Sequence, residues 1–179
     1  AAVANVYYVS TTGTDASGFG TSVDSAFKTI KYACSNIGTP TSTNPAIIFV
    51  KAGTYEETSL PIVVPPNTTI GGDSLRATII KPKAGLDSGG SIQNNRSVMF
   101  RMSDATVLQD CVMDGMGGYT PGSPAYKPES ATIGGTYLAL NAASVIATKS
   151  PYIYNCTSFG DGATGAVLDA APSTITLKK

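Results

Sequence analysis

The chain has 179 residues, with 12 Lys+Arg against 12 Asp+Glu and no histidine. Charged residues are only 13 % and hydrophobic residues 42 %, which excludes a basic nucleic-acid-binding field and favours one folded domain with a sizeable core over disorder. The lack of His removes Ser-His-Asp, Cys-His and His-ligated metal chemistry, and no apolar run approaches the roughly 20 residues that a membrane-spanning helix needs.

The first residues show no basic segment followed by an apolar core, so no secretory leader is expected there. VYYVS (Val6–Ser10) reads as a strand and TTGTDASGFGTS (Thr11–Ser22) as a turn-rich loop. Asp15 in that loop is a weak calcium candidate, being one carboxylate where such sites gather several. A helix is predicted over Ala26–Ile37, capped by Asp24 or Ser25 and closed by Gly38. Phe27, Ile30, Cys34 and Ile37 share one face at helical spacing, with Lys28, Lys31 and Asn36 mostly opposite. Such a helix suits the open end of a strand stack, where it would cover apolar core and unpaired edges.

Residues 46–83 then supply short segments rich in Ile, Val and Thr: Ile47–Val50, Ile62–Val64 running on past Pro65-Pro66-Asn67 into Thr68–Ile70, and Thr78–Ile80. Gly53, Pro65-Pro66, Gly71-Gly72 and Pro82 end them, residues suited to sharp corners. Glu56 and Glu57 read as a solvated corner. No segment can bury itself alone, so the arrangement that uses all of them is a wound coil of short parallel strands. The expected fold class is therefore all-β, a right-handed parallel β-helix with an N-terminal amphipathic capping helix. Residues 1–45 form the entry strand, loop and cap, and residues 46–179 the coils of one continuous domain. Further strands are expected at Val98–Met102, Thr106–Met113, Tyr137–Ala147, Tyr152–Ser158, Ala166–Asp169 and Thr174–Leu177, with long loops at Lys81–Ser97 and Met116–Thr136.

A weak repeat links VLQDCVMDG (Val107–Gly115) to YIYNCTSFG (Tyr152–Gly160), a shift of 45 residues. One coil enlarged by the Met116–Thr136 loop explains it better than two short coils. Cys111 would then stack on Cys156 inside, and Asp110 on Asn155 at a corner. Three unclustered cysteines form neither a disulfide framework nor a zinc site. Stacked side chains on neighbouring parallel strands run side by side, an awkward geometry for a relaxed disulfide, so all three are expected to be free.

The entry run VYYVSTTGTDASGFGTSVDSAFKTIKYACS, with the continuation AIIFVKAGTYEE and LPIVVPPNTTIGGDSLRATIIKPKAG, resembles the first coils of pectate-lyase-like β-helix proteins. AFKTIKYA, GDSLRATIIKP and SPYIYNCTSFGDGATGAVLD are similar to β-helix virion proteins of tailed phages, especially myoviruses that infect cyanobacteria. That resemblance implies a non-enzymatic virion component of the tail, baseplate or fibre, made in the host cytoplasm and carried in the particle. Its partners would be other virion subunits, with a homotrimer as the guess, and host cell-surface polysaccharide in an adhesive role. No cofactor, metal, nucleic acid or membrane insertion is implied.

The alternative is a tailspike-like polysaccharide glycosidase or lyase. A glycosidase needs two carboxylates about 5–10 Å apart. Asp104, Asp110 and Asp114 are the candidates, and inward Cys111 and Met113 would leave Asp110 and Asp114 pointing out. For partner binding, the Met116–Thr136 loop and the strand after it offer Tyr119, Tyr126, Lys127 and Tyr137, because insertions in a coiled fold protrude and tyrosines give contact area at low entropy cost.

Overall fold

The computed structural model describes residues 3–59, 62–82, 100–114, 152–159 and 176–178. They contain one helix and twelve strands, and every strand pairing is parallel. In chain order these are β1 (Asn5–Val9), α1 (Ile30–Asn36), β2 (Ala46–Val50), β3 (Gly53–Glu57), β4 (Ile62–Val63), β5 (Thr68–Gly72) and β6 (Thr78–Pro82). Then come β7 (Phe100–Arg101), β8 (Val107–Gln109), β9 (Val112–Asp114), β10 (Tyr152–Tyr154), β11 (Thr157–Phe159) and β12 (Thr176–Lys178). The first sheet has the order β1-β2-β5-β8-β10-β12, the second β11-β9-β6-β3, and the third pairs β4 with β7. From β2 to β9 the chain visits the first, second and third sheets in rotation.

Register follows from which side chains can be buried. In β2, Ala46, Ile48 and Val50 are buried while Ile47 and Phe49 are not. Sliding a strand by one residue would exchange these two sets. Parallel pairing in this register stacks Ile48 on Ile70 and Ile70 on Leu108. Tyr55, Ile80 and Met113 form the matching inward row of the second sheet, and Ile62 meets Phe100 in the third. Buried residues from all three sheets and the helix join in one hydrophobic cluster.

Corners between sheets recur at the same register position. Asn67 and Ala105 both adopt left-handed backbone just before β5 and β8, and Asp110 and Asn155 both do so just after β8 and β10. Asn and Asp tolerate that conformation better than other residues with a side chain, and three of these four are Asn or Asp, Ala105 being the exception. The stretches predicted as single strands, Thr106–Met113 and Tyr152–Ser158, are therefore each two strands in two sheets. The 45-residue repeat holds throughout: Val107 pairs with Tyr152 and Val112 with Thr157. Because β8 and β10 are direct neighbours, the 45 residues span a single step of the stack.

The helix begins at Ile30, four residues after the predicted start, with Thr29 as its N-cap instead of Asp24 or Ser25. Phe27 is drawn into a parallel bridge with Val9, and its N–H donates to Tyr8 O. Those residues extend the sheet edge and so cannot be helical. Gly38 follows the helix at φ 75°, as expected. Ile30, Ala33 and Cys34 are buried. The helix packs on β1 and β4, and Glu57 of β3 bonds its first turn. It thus touches the outermost strands of the first two sheets and β4 of the third.

Glu57 itself corrects the sequence reading. Glu56 is exposed and pairs with Lys81 at 3.6 Å, but Glu57 is only 1 % exposed. Alternation along β3 turns neighbouring glutamates to opposite faces, so one is solvated and the other is not.

Candidate interaction surface

Three polar groups organise the start of the helix. One Asp15 carboxylate oxygen accepts from the N–H groups of Lys28 and Thr29, and the other from the Thr29 hydroxyl at 2.7 Å. This carboxylate is spent on fixing the loop to the N-cap, which accounts for Asp15 without calcium. Thr29 Oγ1 in turn accepts from Tyr32 N–H. Glu57 Oε1 accepts from Ile30 N–H at 2.8 Å, while its Oε2 is buried and has no hydrogen-bond partner. Burial pushes the Glu57 carboxyl above the usual carboxylate range; the N–H groups of Ile30 and Lys31 oppose this, and Asp15 reinforces it. A cleft of about 330 Å³ lies beside it, lined by Thr11, Lys28, Thr54 and Glu56 among others. A raised carboxyl in a cleft is the pattern of a general acid. Here its oxygens are shut away from solvent, so the arrangement serves to anchor the helix.

The three candidate acids sit at separate positions around the chain. Asp104 lies at the corner entering β8, where its carbonyl accepts from Asn67 N–H. Asp110 occupies the corner leaving β8, and Asp114 ends β9. Four residues of extended chain carry Asp110 to Asp114, on the order of 13 Å. Asp110 is instead brought to Asn155: its Oδ1 accepts from Asn155 Nδ2 at 2.7 Å, one layer above the other. Asp114 stands one residue beyond the Ile80–Met113 pairing, in line with Lys81 and Glu56 on the outside of the second sheet. Among the described residues no group of three or more Cys, Asp or Glu is placed to hold a metal. Tyr119, Tyr126, Lys127 and Tyr137 lie outside the described residues.

The Asp110–Asn155 contact makes a sharp expectation. Asp110→Asn keeps both the acceptor oxygen and the tolerance for left-handed backbone, and stability should change by no more than about 0.5 kcal/mol. Asp110→Ala loses both and should cost about 1.5 kcal/mol. Urea unfolding of the two variants checks this; equal losses would mean that the charge matters and the stacked bond does not.

The outer face of the first sheet is the feature that sequence inspection missed. Register aligns Val6, Ile47, Thr69, Val107 and Tyr152 in one outward row. A second row runs Tyr8, Phe49, Gly71, Gln109 and Tyr154. None of these ten residues carries a charge; continued in register into β12, the two rows end at Thr176 and Lys178. Val6 and Tyr154 are each 41 % exposed and Ile47 37 %. Tyr8 and Phe49 meet edge to face at 6.1 Å between ring centres, and the Gln109 side chain lies over Gly71. The second sheet turns Thr54, Glu56 and Lys81 outward instead, a face dressed for water. A largely uncharged, partly aromatic surface beside a charged one has the composition of an interaction surface.

No family model, curated protein or solved structure matches this chain.

Proposed function

We propose that the chain is a right-handed parallel β-helix that serves as a structural subunit of a tailed-phage particle, in the tail, baseplate or fibre, and assembles with copies of itself through the outer face of its first sheet. The rotation of strands through three parallel sheets supports the coil, and parallel crossovers are right-handed in about 98 % of cases. The entry and later phrases of the sequence resemble such virion proteins. The observation that carries the assembly reading is the ten-residue uncharged patch on five strands of that face, bounded in register by Lys178 of β12. Its apolar and aromatic side chains favour a partner face of the same composition, and a second copy supplies one.

The size of the face bears on the number of copies. Five strands at about 4.8 Å spacing and two side-chain rows cover roughly 350 Å². Two such faces bury about 700 Å², short of the roughly 1,000 Å² expected of a lasting two-body interface. A threefold axis closes the assembly, with each copy meeting two others, but one face of this size still buries at most about 350 Å² per chain, so a lasting trimer also uses surface beyond this face. The particle would hold the chain by this contact, with adhesion to host-surface polysaccharide as a further role for the assembled subunit.

The test introduces a charge where burial would make it costly. Ile47→Lys and Val107→Lys lie on the outer face and touch no core position, so unfolding midpoints should change by less than the equivalent of about 0.5 kcal/mol. Light scattering should give a multimer for the parent chain and a monomer for the double variant. A parent chain that stays monomeric at high concentration and releases reducing or unsaturated sugars from bacterial polysaccharide would replace this reading with the enzyme.

A further inference from the structure

The stacked cysteines are not used by an assembly role. Cys111 and Cys156 hold the same position in neighbouring layers, each directly after a left-handed corner residue. Their Sγ atoms are 3.6 Å apart and both thiols are free. Cys111 is buried, whereas Cys156 is half-buried and packs against the core cluster, so Cys156 is the less enclosed residue of the pair. The Asn155–Asp110 bond pins the two corners in register beside them.

We infer that Cys156 and Cys111 form a peroxide-sensitive dithiol that closes to a disulfide within the folded chain, tying β8 and β9 to β10 and β11. The spacing permits the link, and closing it requires the two side chains to swing toward each other. Neighbouring parallel backbones run about 4.8 Å apart, inside the roughly 4.4–6.8 Å span of Cα atoms that a disulfide bridges. The corner has already turned the two sulfurs into contact, and they need approach by only about 1.5 Å more to reach bonding distance. The two thiols share a hydrogen bond in which either sulfur can donate, and Cys156, the less buried of the two, is the one placed to meet the oxidant first. As a neutral thiol, Cys156 lies 3.3 Å from Tyr154 O and 3.5 Å from Leu108 O, which fixes its direction.

The chemistry balances with hydrogen peroxide as the oxidant. The Cys156 thiolate attacks one peroxide oxygen, the O–O bond breaks, and the departing hydroxide takes up a proton to leave as water. Cys156 is then a sulfenic acid. The Cys111 sulfur attacks the Cys156 sulfur, its proton joins the leaving hydroxide, and a second water departs as the S–S bond forms. Two thiols are oxidised and one peroxide is reduced to two waters.

The experiment treats the folded, reduced chain with hydrogen peroxide, then unfolds and alkylates it for mass spectrometry. One alkylatable thiol of the three cysteines should remain, Cys34, with a Cys111–Cys156 linked peptide that thiol reductant reverses. The rate should not depend on protein concentration. In Cys111→Ser, Cys156 should persist as a sulfenic acid that a 1,3-diketone probe captures. Three alkylatable thiols after treatment would overturn the proposal. So would a Cys156 sulfinic acid beside an intact Cys111 thiol, or linkage only between chains.

Discussion

Gly72→Ala should destabilise the chain by about 3 kcal/mol, although it adds one methyl group. Gly72 ends β5 in the first sheet, and the corner residue of the next layer, Asp110, lies against it. A Cβ at Gly72 would stand 2.0 Å from the Asp110 carbonyl oxygen and 3.1 Å from Thr78 Cβ. The first of these is backbone, which no rotamer change can move aside. Separating the layers at this point would also disturb the Ile70–Leu108 stacking two residues earlier. Gly18→Ala is the control. Its φ is +87°, but nothing lies within 4 Å of the added carbon. Only the left-handed backbone is penalised there, at about 1 kcal/mol. Urea midpoints of the two variants separate close approach from conformational freedom. Equal losses would show that the layers at Gly72 and Asp110 do not meet as described.

Much of the layering was legible in the sequence, because identical environments select similar residues. The shared Leu or Ile, Asp or Asn, and Cys of the two repeats occupy stacked positions, and their contacts follow: Asn155 on Asp110, Cys156 on Cys111. The sequence placed Asp110 and Asn155 at a corner, which their left-handed backbone bears out, yet also ran single strands through them. Asp110 interrupts the strand-forming residues of Val107 to Met113 and is a residue type that accepts left-handed backbone, so the break into two strands falls there. The same is true of Asn155. The helix start was misplaced because Phe27 satisfies a helical face as well as it satisfies the bridge to Val9. Only the tertiary neighbour decides between them.

The outer face shows a different limit. Alternation within each strand was visible, but the rows across strands depend on steps of differing length. Ile47 and Thr69 are 22 residues apart, Thr69 and Val107 38, and Val107 and Tyr152 45. No fixed period marks Val6, Ile47, Val107 and Tyr152 as one surface. Steps of unequal length between layers hide the row from the sequence, while parallel pairing restores it.

Glu57→Ala should cost about 2–3 kcal/mol, because it leaves buried N–H donors at the helix start without an acceptor and opens space in a packed site. Ile30 N–H loses its 2.8 Å bond and Lys31 N–H its share of the carboxylate. Water cannot readily replace the acceptor at a residue only 1 % exposed. Glu57→Gln keeps an oxygen for Ile30 and removes the ionisation, so it isolates the charge. Burial holds the folded Glu57 carboxyl above the ordinary glutamate value of 4.5. Between that value and the raised one, the folded chain binds more protons than the unfolded chain, so stability falls as pH rises. The parent chain should therefore be relatively strongest below 4.5 and lose ground above it. The Gln variant lacks this loss. Unfolding at about pH 4 and about pH 8 should show the Gln variant gaining on the parent as pH rises, while the Ala variant is weaker than Gln at both. A parent that gains on Gln with rising pH would mean that the two backbone N–H groups outweigh burial and hold Glu57 ionised when folded.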